Sequence, residues 1–283
     1  MKVLVTGGKG ALGQDVAEVF AAHGHEVRAL DRESLDITDA GAVMAFVNEH
    51  QPELIINCAA YNLVDKVEEA ELYPLAYAIN ATGPHNLALA ASSVGATLVH
   101  LSTDYVFAGD RPDGYAEDSQ RAPVSKYGET KAQGEKFVED VGGKYFIVRT
   151  SKLFGRPATS EAAKESFVSL MLRLAASKPE LAIVDEEVGC PTYTLDLARG
   201  ILELTTGNYA FGHYHLVNSG PGVTWYGFAD EFFKLKGITT PRRPVSSKDF
   251  PKPAVRPKFA ALKNTKFPPL RSRLEALKDF LQS

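Results

Sequence analysis

Lys2-Val3-Leu4-Val5-Thr6-Gly7-Gly8-Lys9-Gly10-Ala11-Leu12-Gly13 is the stretch that decides the fold. Lys2 to Thr6 is a short apolar run that stops at glycine, the pattern of a buried strand. From Ala11 to Ala22, Leu12, Val16, Val19 and Phe20 recur at helical spacing. Gly7, Gly10 and Gly13 therefore fall between a strand and a helix, the context a dinucleotide-binding turn requires. Gly7 permits the tight turn, Gly10 lets a pyrophosphate approach the backbone, and Gly13 lets helix and strand pack closely. The helix N-terminus offers N–H groups and a positive dipole end to that phosphate. Gly7, Lys9, Gly10, Ala11, Leu12 and Gly13 are the expected cofactor contacts of this turn.

The alternation continues downstream. Glu26 to Leu30 is a second strand ending at Asp31-Arg32. An acid there suits the ribose hydroxyls of NAD, and an adjacent arginine suits the extra phosphate of NADP, so both cofactors stay open. Asp36 and Ile37 are placed to edge an adenine, or form a plain loop. A helix follows from about Asp39 to His50, capped by Thr38 or Asp39. Glu53 to Asn57 is a third strand. Cys58, Ala59, Ala60 and Tyr61 leave its carboxyl end, where small residues make room for a ligand. Val64 to Glu68 reads as the start of an acidic helix, and Tyr77 to Val94 as a long helix. Its Asn80 serves either neighbouring backbone or the site. Ala96 to Leu101 is the fourth strand and runs into Ser102-Thr103-Asp104-Tyr105-Val106-Phe107. Thr103 faces the same crevice, as a turn hydroxyl or as a partner for a substrate carbonyl. Lys144 to Arg149 is the fifth strand.

Between these last two strands lies Pro123-Val124-Ser125-Lys126-Tyr127-Gly128-Glu129-Thr130-Lys131. Pro123 suits a helix start, and a spacing of four places Tyr127 and Lys131 on one face. An ammonium beside a phenol favours the phenolate and lowers its pKa. Such a phenol exchanges a proton with a carbonyl or alcohol oxygen. A surface tyrosine and a solvated lysine is the plainer reading, and only the upstream turn lends the pair weight.

Strand and helix alternate through residue 155, which implies an α/β, Rossmann-type doubly wound parallel sheet. Residues 1–155 form the expected dinucleotide-binding domain, with segments returning from the C-terminal half. Residues 156–283 form the expected smaller, substrate-binding lobe. It includes helices over Glu161–Ala176, Leu195–Thr205, Thr224–Lys236 and Arg271–Leu281, and strands at Leu181–Val184 and His213–Val217. Trp225, Phe228, Phe232 and Phe233 make an aromatic stripe that reads as core. Arg242 to Pro257 reads as a basic, proline-rich loop.

Composition sets the outer bounds. The chain has 283 residues, 45% of them hydrophobic, and a net charge of −4 with mixed signs. That leaves no basic footprint for nucleic acid. No apolar run reaches the roughly 20 residues that span a bilayer. The apolar start before Gly7 is too short for a signal peptide. Cys58 and Cys190 lack metal-ligand spacing, and so few cysteines fit a reducing cytoplasm.

Together, Thr6 to Gly13, Thr103, Tyr127 and Lys131 resemble an extended short-chain dehydrogenase/reductase. Further blocks resemble the dTDP-4-dehydrorhamnose reductase family. These are Asn57-Cys58-Ala59-Ala60-Tyr61, Val64-Asp65-Lys66, Ser102 to Phe107, Tyr127-Gly128-Glu129-Thr130-Lys131, Gly134-Glu135, Val148-Arg149-Thr150-Ser151 and Gly189-Cys190-Pro191-Thr192-Tyr193-Thr194. The resemblance implies hydride transfer from NADPH or NADH to C4 of dTDP-4-dehydro-L-rhamnose. Tyr127 would protonate the oxygen, Lys131 would lower its pKa and bind the nicotinamide ribose, and Thr103 would hold the carbonyl oxygen. Val64, Asp65, Lys66, Thr103, Asp104, Tyr105, Phe107, Lys152 and Arg256 would bind the dTDP-sugar.

Two departures stand out. Family members commonly carry Trp where Lys152 stands. An Arg-Pro-x-Asn-Ser-x-Leu-Asp pattern is met at Arg256 with Phe259, Ala260 and Lys263 in place of Asn, Ser and Asp. Some members dimerise with magnesium. Here a homodimer is open, Asp15, Glu186 and Glu187 read as solvated, and no metal site is expected. A sugar-nucleotide dehydratase or epimerase is a rival, but a dehydratase carries an Asp-Glu pair after the threonine, and here Asp104 precedes Tyr105. A second rival is a cofactor-binding regulatory subunit like that of methionine adenosyltransferase.

Overall fold

The computed structural model of the chain describes residues 1–160 and 165–282. The first half alternates β1 (Lys2–Thr6), α1 (Ala11–Ala22), β2 (Glu26–Leu30), α2 (Ala40–His50), β3 (Leu54–Asn57), α3 (Tyr73–Tyr77), α4 (Gly83–Val94), β4 (Thr97–Thr103), α5 (Lys126–Val141) and β5 (Tyr145–Thr150). Then come β6 (Leu153–Phe154), α6 (Phe167–Ala175), β7 (Leu181–Val184), β8 (Thr192–Tyr193), α7 (Thr194–Thr206), β9 (Gly212–His215) and β10 (Asn218–Ser219). The chain closes with α8 (Trp225–Lys236), β11 (Arg242–Val245), β12 (Leu270–Ser272) and α9 (Arg273–Phe280).

A parallel sheet in the order β2-β1-β3-β4-β5-β9 is the centre of the molecule. Its residues alternate between two cores because successive strand side chains point to opposite faces. Val3, Val5, Leu54, Ile56, Val99 and Val148 pack with Val16 and Phe20 of α1 and Leu197 and Ile201 of α7. Leu4, Ile55, Leu98 and Ile147 pack with Val43, Leu87 and Val138 of α2, α4 and α5. The strand order reverses between β1 and β3, which opens a crevice at their carboxyl ends. The glycine turn closes there by steric need. A Cβ on Gly13 would lie 2.2 Å from the Gly7 carbonyl oxygen, and Gly7 itself sits at φ +71°.

The second half is gathered around Phe154, Phe228, Phe232 and Phe233, with α6, α8 and α9 about them. It returns a strand to the main sheet at β9, beside β5. Several boundaries differ from the sequence reading. Val64 to Glu68 forms only a 3₁₀ turn at Lys66–Glu68 rather than an acidic helix. The long helix begins at Tyr73 and passes through a π turn at Ala78–Thr82 before α4. The helix expected from Glu161 begins at Phe167, with Ser166 as cap, and residues 161–164 lie outside the described residues. Arg242–Val245, read as loop, pairs with β7 as a strand. Pro123 precedes α5 without entering it, because Ser125 is the N-cap and accepts from the Gly128 N–H.

One buried ion pair fixes α5 on the sheet. Glu135 of α5 is wholly buried, and Arg149 of β5 is 2% exposed. Arg149 donates to both Glu135 oxygens at 2.9 and 2.7 Å, and Ser102 of β4 donates to one of them at 2.5 Å. Arg121 bridges Glu135 and Glu139, and Glu139 meets His213 of β9 at 2.8 Å. Burial pushes the Glu135 carboxyl up, but Arg149 and Ser102 outweigh it and hold it at about 2, below the ordinary 4.5. A depressed carboxyl pKa stabilises the fold above the unfolded value and loses that stability as pH falls. Stability should therefore fall between about pH 4.5 and about pH 2. Glu135→Gln should cost about 3–5 kcal/mol at neutral pH, because it leaves Arg149 buried without its counter-charge. Urea unfolding of both proteins across this pH range checks both statements.

Candidate active site

Thr103 ends β4 and Tyr127 lies in the first turn of α5, so the crevice at the strand ends receives both. They share a cleft of about 270 Å³ with Asn62, Val64, Ser102, Asp104, Tyr105, Thr150, Ser151, Lys152, Leu153, Glu187, Val188, Trp225 and Pro257. Ligand pockets start near 300 Å³, so the enclosed part suits one sugar-sized group.

Tyr127 is 8% exposed, and the Tyr105 ring meets it edge-on at 5.4 Å. Burial first, and then the Asp104 charge, raise its phenol pKa, against a hydrogen bond with Thr103. The net shift is therefore upward, opposite to the lowered phenol that the spacing leads one to expect. The Lys131 ammonium is itself buried and donates to the Leu101 carbonyl at 2.7 Å. Desolvation lowers Lys131 to about 8, against the opposing Glu135 and Cys58 charges. The spacing argument gave the shared face correctly and missed the cost of burying both groups.

Thr103 takes the turn role that the sequence left open to it, on the wall of the cleft. Its hydroxyl accepts from the Tyr105 N–H at 3.2 Å as a turn cap, and donates to Asp104 at 3.0 Å. Ser151 donates to the other Asp104 oxygen at 2.7 Å. Burial raises the Asp104 pKa, and these two hydroxyls oppose it. Asn80, fully buried, accepts from the Tyr61 N–H and donates to the Tyr61 carbonyl and to Thr130. It thus ties the segment after β3 to α5.

The cofactor side is built from the glycine turn and the ends of β2 and β3. Gly10 caps α1 in extended conformation, with no side chain of its own to spend on the helix N–H groups. A Cβ on Gly7 would meet the Ala59 N–H nitrogen at 2.7 Å, so the Cys58-Ala59-Ala60 segment runs directly beside the turn. Asn57 sets this segment by accepting from Thr6 and from the Ala59 N–H. Burial holds the Cys58 thiol up at about 12. Lys9 pairs with Asp31, whose carboxyl that contact and Ser34 hold at about 2. Arg32 pairs with Asp36 at 3.1 Å. The turn and these charges fit a dinucleotide: a backbone cradle for phosphate, an acid for ribose hydroxyls and cations for an added phosphate. Leu12 and Ile37 differ from expectation, because both side chains lie in the hydrophobic cores. Ile37 packs against the space over Gly83, whose Cβ would meet it at 2.5 Å.

The expected substrate residues divide. Val64, Thr103, Asp104, Tyr105 and Lys152 line the cleft. Phe107 does not: it is fully buried, stacked on Tyr115 at 4.3 Å, under the Arg149 guanidinium. Lys66 pairs with Glu69 at the surface. Asp65 and Arg256 bind each other in a two-pronged pair at 2.9 and 2.7 Å across the cleft rim. Lys152 sits at φ +46°, and its ammonium donates to the Glu187 and Val223 carbonyls beside the Trp225 ring. Burial lowers it to about 8.

Sequence reasoning gives two of the cleft residues other roles. Trp225 was read as core, and its spacing to Phe228 and Phe232 gave no sign that it faces the cleft. Glu187 was read as solvated, yet it is 9% exposed. Asp15 is also buried, paired with Arg156 at 2.6 Å, while Glu186 holds Ser246 and Ser247. Among the described residues, Glu135, Glu139 and His213 approach one another closely enough to share an ion, but Arg121 already bridges the two carboxylates and Arg149 pairs with Glu135.

Residues 1–282 match the family described as RmlD substrate binding domain. The chain is 42% identical over 271 residues to a dTDP-4-dehydrorhamnose reductase of Streptomyces griseus, covering 93% of this chain and 86% of that one. A dTDP-4-dehydrorhamnose reductase structure from Clostridium acetobutylicum superposes with a TM-score of 0.93 at 42% identity, covering 100% and 99% of the two chains. One from Bacillus anthracis, in complex with NADP, superposes with a TM-score of 0.92 at 38% identity and the same coverage. Fold, strand-end cleft and sequence therefore agree that this chain belongs to the dTDP-4-dehydrorhamnose reductase family.

Proposed function

We propose that this protein reduces the 4-keto group of a dTDP-4-keto-6-deoxy sugar, converting dTDP-4-dehydro-L-rhamnose to dTDP-L-rhamnose with NADPH or NADH. The observation that carries the reading is Tyr127 beside Thr103 in a cleft at the strand ends, next to the glycine turn. Residues 1–155 serve the dinucleotide and the C-terminal half supplies most of the outer wall for the sugar nucleotide. The dinucleotide, when bound, supplies the hydride.

The protein's own part is the proton. A phenol that burial and Asp104 push up keeps its proton until an acceptor is made. The oxygen that gains charge at C4 is that acceptor, and Tyr127 is its general acid. Thr103, anchored on Asp104, holds the phenol and the reacting oxygen in line. Lys131 contributes a fixed positive charge against the phenolate that forms, where low dielectric makes it count. Cys58, Ala59, Ala60 and Tyr61 shape the nicotinamide side, and Arg256 with Asp65 closes the rim.

The direct test follows nicotinamide absorbance with the keto sugar nucleotide and its epimerase. Consumption that depends on the sugar supports the reading, and none with either cofactor sinks it. Tyr127→Phe should retain dinucleotide binding and lose about 10²–10⁴-fold in kcat. Wild-type kcat should fall as pH rises through about 8, where Lys131 loses its proton; a rate profile from pH 6 to 10 checks this. Lys9 of the glycine turn, paired with Asp31, and Arg32 are the cations beside the end of β2, so Lys9→Ala and Arg32→Ala should weaken NADPH about tenfold and NADH little, since only NADPH adds a phosphate there. Fluorescence titration with each cofactor decides it.

A further inference from the structure

Glu187 lies between β7 and β8, on the wall of the cleft that also holds Thr103 and Tyr127. One bond holds its side chain, and others hold the backbone around it. Trp225 Nε1–H donates to Oε2 at 2.8 Å. Its own carbonyl accepts from Lys152 at 2.5 Å, and the next residue's N–H donates to the Lys258 carbonyl at 2.8 Å. Arg256 Nε stands 3.9 Å from Oε1, a charge contact too long for a hydrogen bond. Among the described residues, Oε1 accepts no hydrogen bond from the protein.

That oxygen is not fully enclosed and opens to the cleft, where a donor on a bound ligand can take the place of water. Its chemistry says what that donor is. A carboxylate repels a diphosphate, so this wall takes the hexose rather than the nucleotide. The keto carbon has no proton to donate, and the ring hydroxyls do. Hydroxyl donation to a fixed carboxylate is a strong, short hydrogen bond. We propose that Glu187 is a specificity-determining residue that accepts a hydrogen bond from a ring hydroxyl of the keto sugar, held in position by Trp225. This rests on the reductase reading and names how the same cleft selects its sugar.

The test measures kcat and KM for wild type, Glu187→Gln and Trp225→Phe. The substrates are the dTDP-4-keto-6-deoxy sugar and its counterparts that each lack one ring hydroxyl. Wild type should favour the full sugar over one of these by about 10- to 100-fold in kcat/KM, the worth of one hydrogen bond to a charged group. Glu187→Gln should raise KM for the full sugar by a similar factor and bring that ratio close to one. Its kcat, its cofactor affinity and its inhibition by dTDP alone should stay within about threefold of wild type, for lack of any contact with those parts. Trp225→Phe, which removes the N–H that holds the carboxylate together with part of the ring but keeps the carboxylate itself, should move the ratio in the same direction by less. An unchanged ratio in both variants overturns the proposal, as does an equal loss for all the sugars with weaker dTDP inhibition. Should Glu187→Gln not fold, as thermal unfolding would show, the Trp225→Phe ratio decides alone. A wild type active on the full sugar but indifferent to the missing hydroxyls defeats this inference and leaves the reductase standing. A wild type idle with every sugar defeats the reductase reading, and the inference with it.

Discussion

The position of α5 depends on a carboxylate and a guanidinium that no water reaches. Glu135 and Arg149 pay a large desolvation cost, which only good geometry and further donors offset. Ser102 and Arg121 supply those donors. The pair therefore holds α5 to β4 and β5 in one register, with Gly134 packed so closely that a Cβ would lie 2.2 Å from the Asn80 carbonyl oxygen. Lys131 lies one turn before Glu135 and Tyr127 one turn before that. A helix pinned at one point by charge and at another by contact has no freedom to slide its phenol away from Thr103.

The same burial sets the electrostatics of the site. A solvated Tyr–Lys pair would favour phenolate, and the buried pair does the reverse. Tyr127 is raised and Lys131 lowered because each loses water on charging. The two shifts draw the pKa values apart in the direction that keeps the phenol protonated. That suits a group whose task is to give a proton to an oxygen made basic by reduction. In the proposed reaction the charge of Lys131 would matter most in the transition state, when the phenol becomes negative.

The part of this arrangement legible in the sequence was the part written locally. The β1 turn, α1 and the Tyr127–Lys131 face follow from glycine spacing and helical period, and all three are where those patterns place them. Boundaries failed where local rules had nothing to register. Ser102 and Thr103 extend β4 although they are polar, because Glu135 and Asp104 satisfy them from elsewhere in the chain. The π turn at Asn80 leaves no trace in a 3.6-residue period, and its cause is the bonding of Asn80 to Tyr61 and Thr130. Glu187 and Asp15 were assigned to water because isolated carboxylates usually go there. Their partners, Trp225 and Arg156, lie too far along the chain to be seen beside them.

The outer wall shows why such long-range partners accumulate on one side of the cleft. The strand ends of a parallel sheet supply one side from consecutive βα units, so spacing predicts it. The other side is assembled from segments of the second half that share no sheet with β4 or β5. Each must be fastened separately. The turn after β5 does much of this: Ser151 accepts from the Cys190 N–H while donating to Asp104, and the Lys152 carbonyl accepts from the Thr192 N–H. Lys152 also reaches the carbonyls of Glu187 and Val223 with its ammonium. A non-glycine residue at positive φ costs of order 1–3 kcal/mol. It persists here because the left-handed turn lets one side chain gather two distant segments, and the charge of the ammonium strengthens both bonds. The strain at Lys152 and the order of the outer wall are thus two sides of one constraint. A residue unable to reach both carbonyls would relieve the first only by loosening the second.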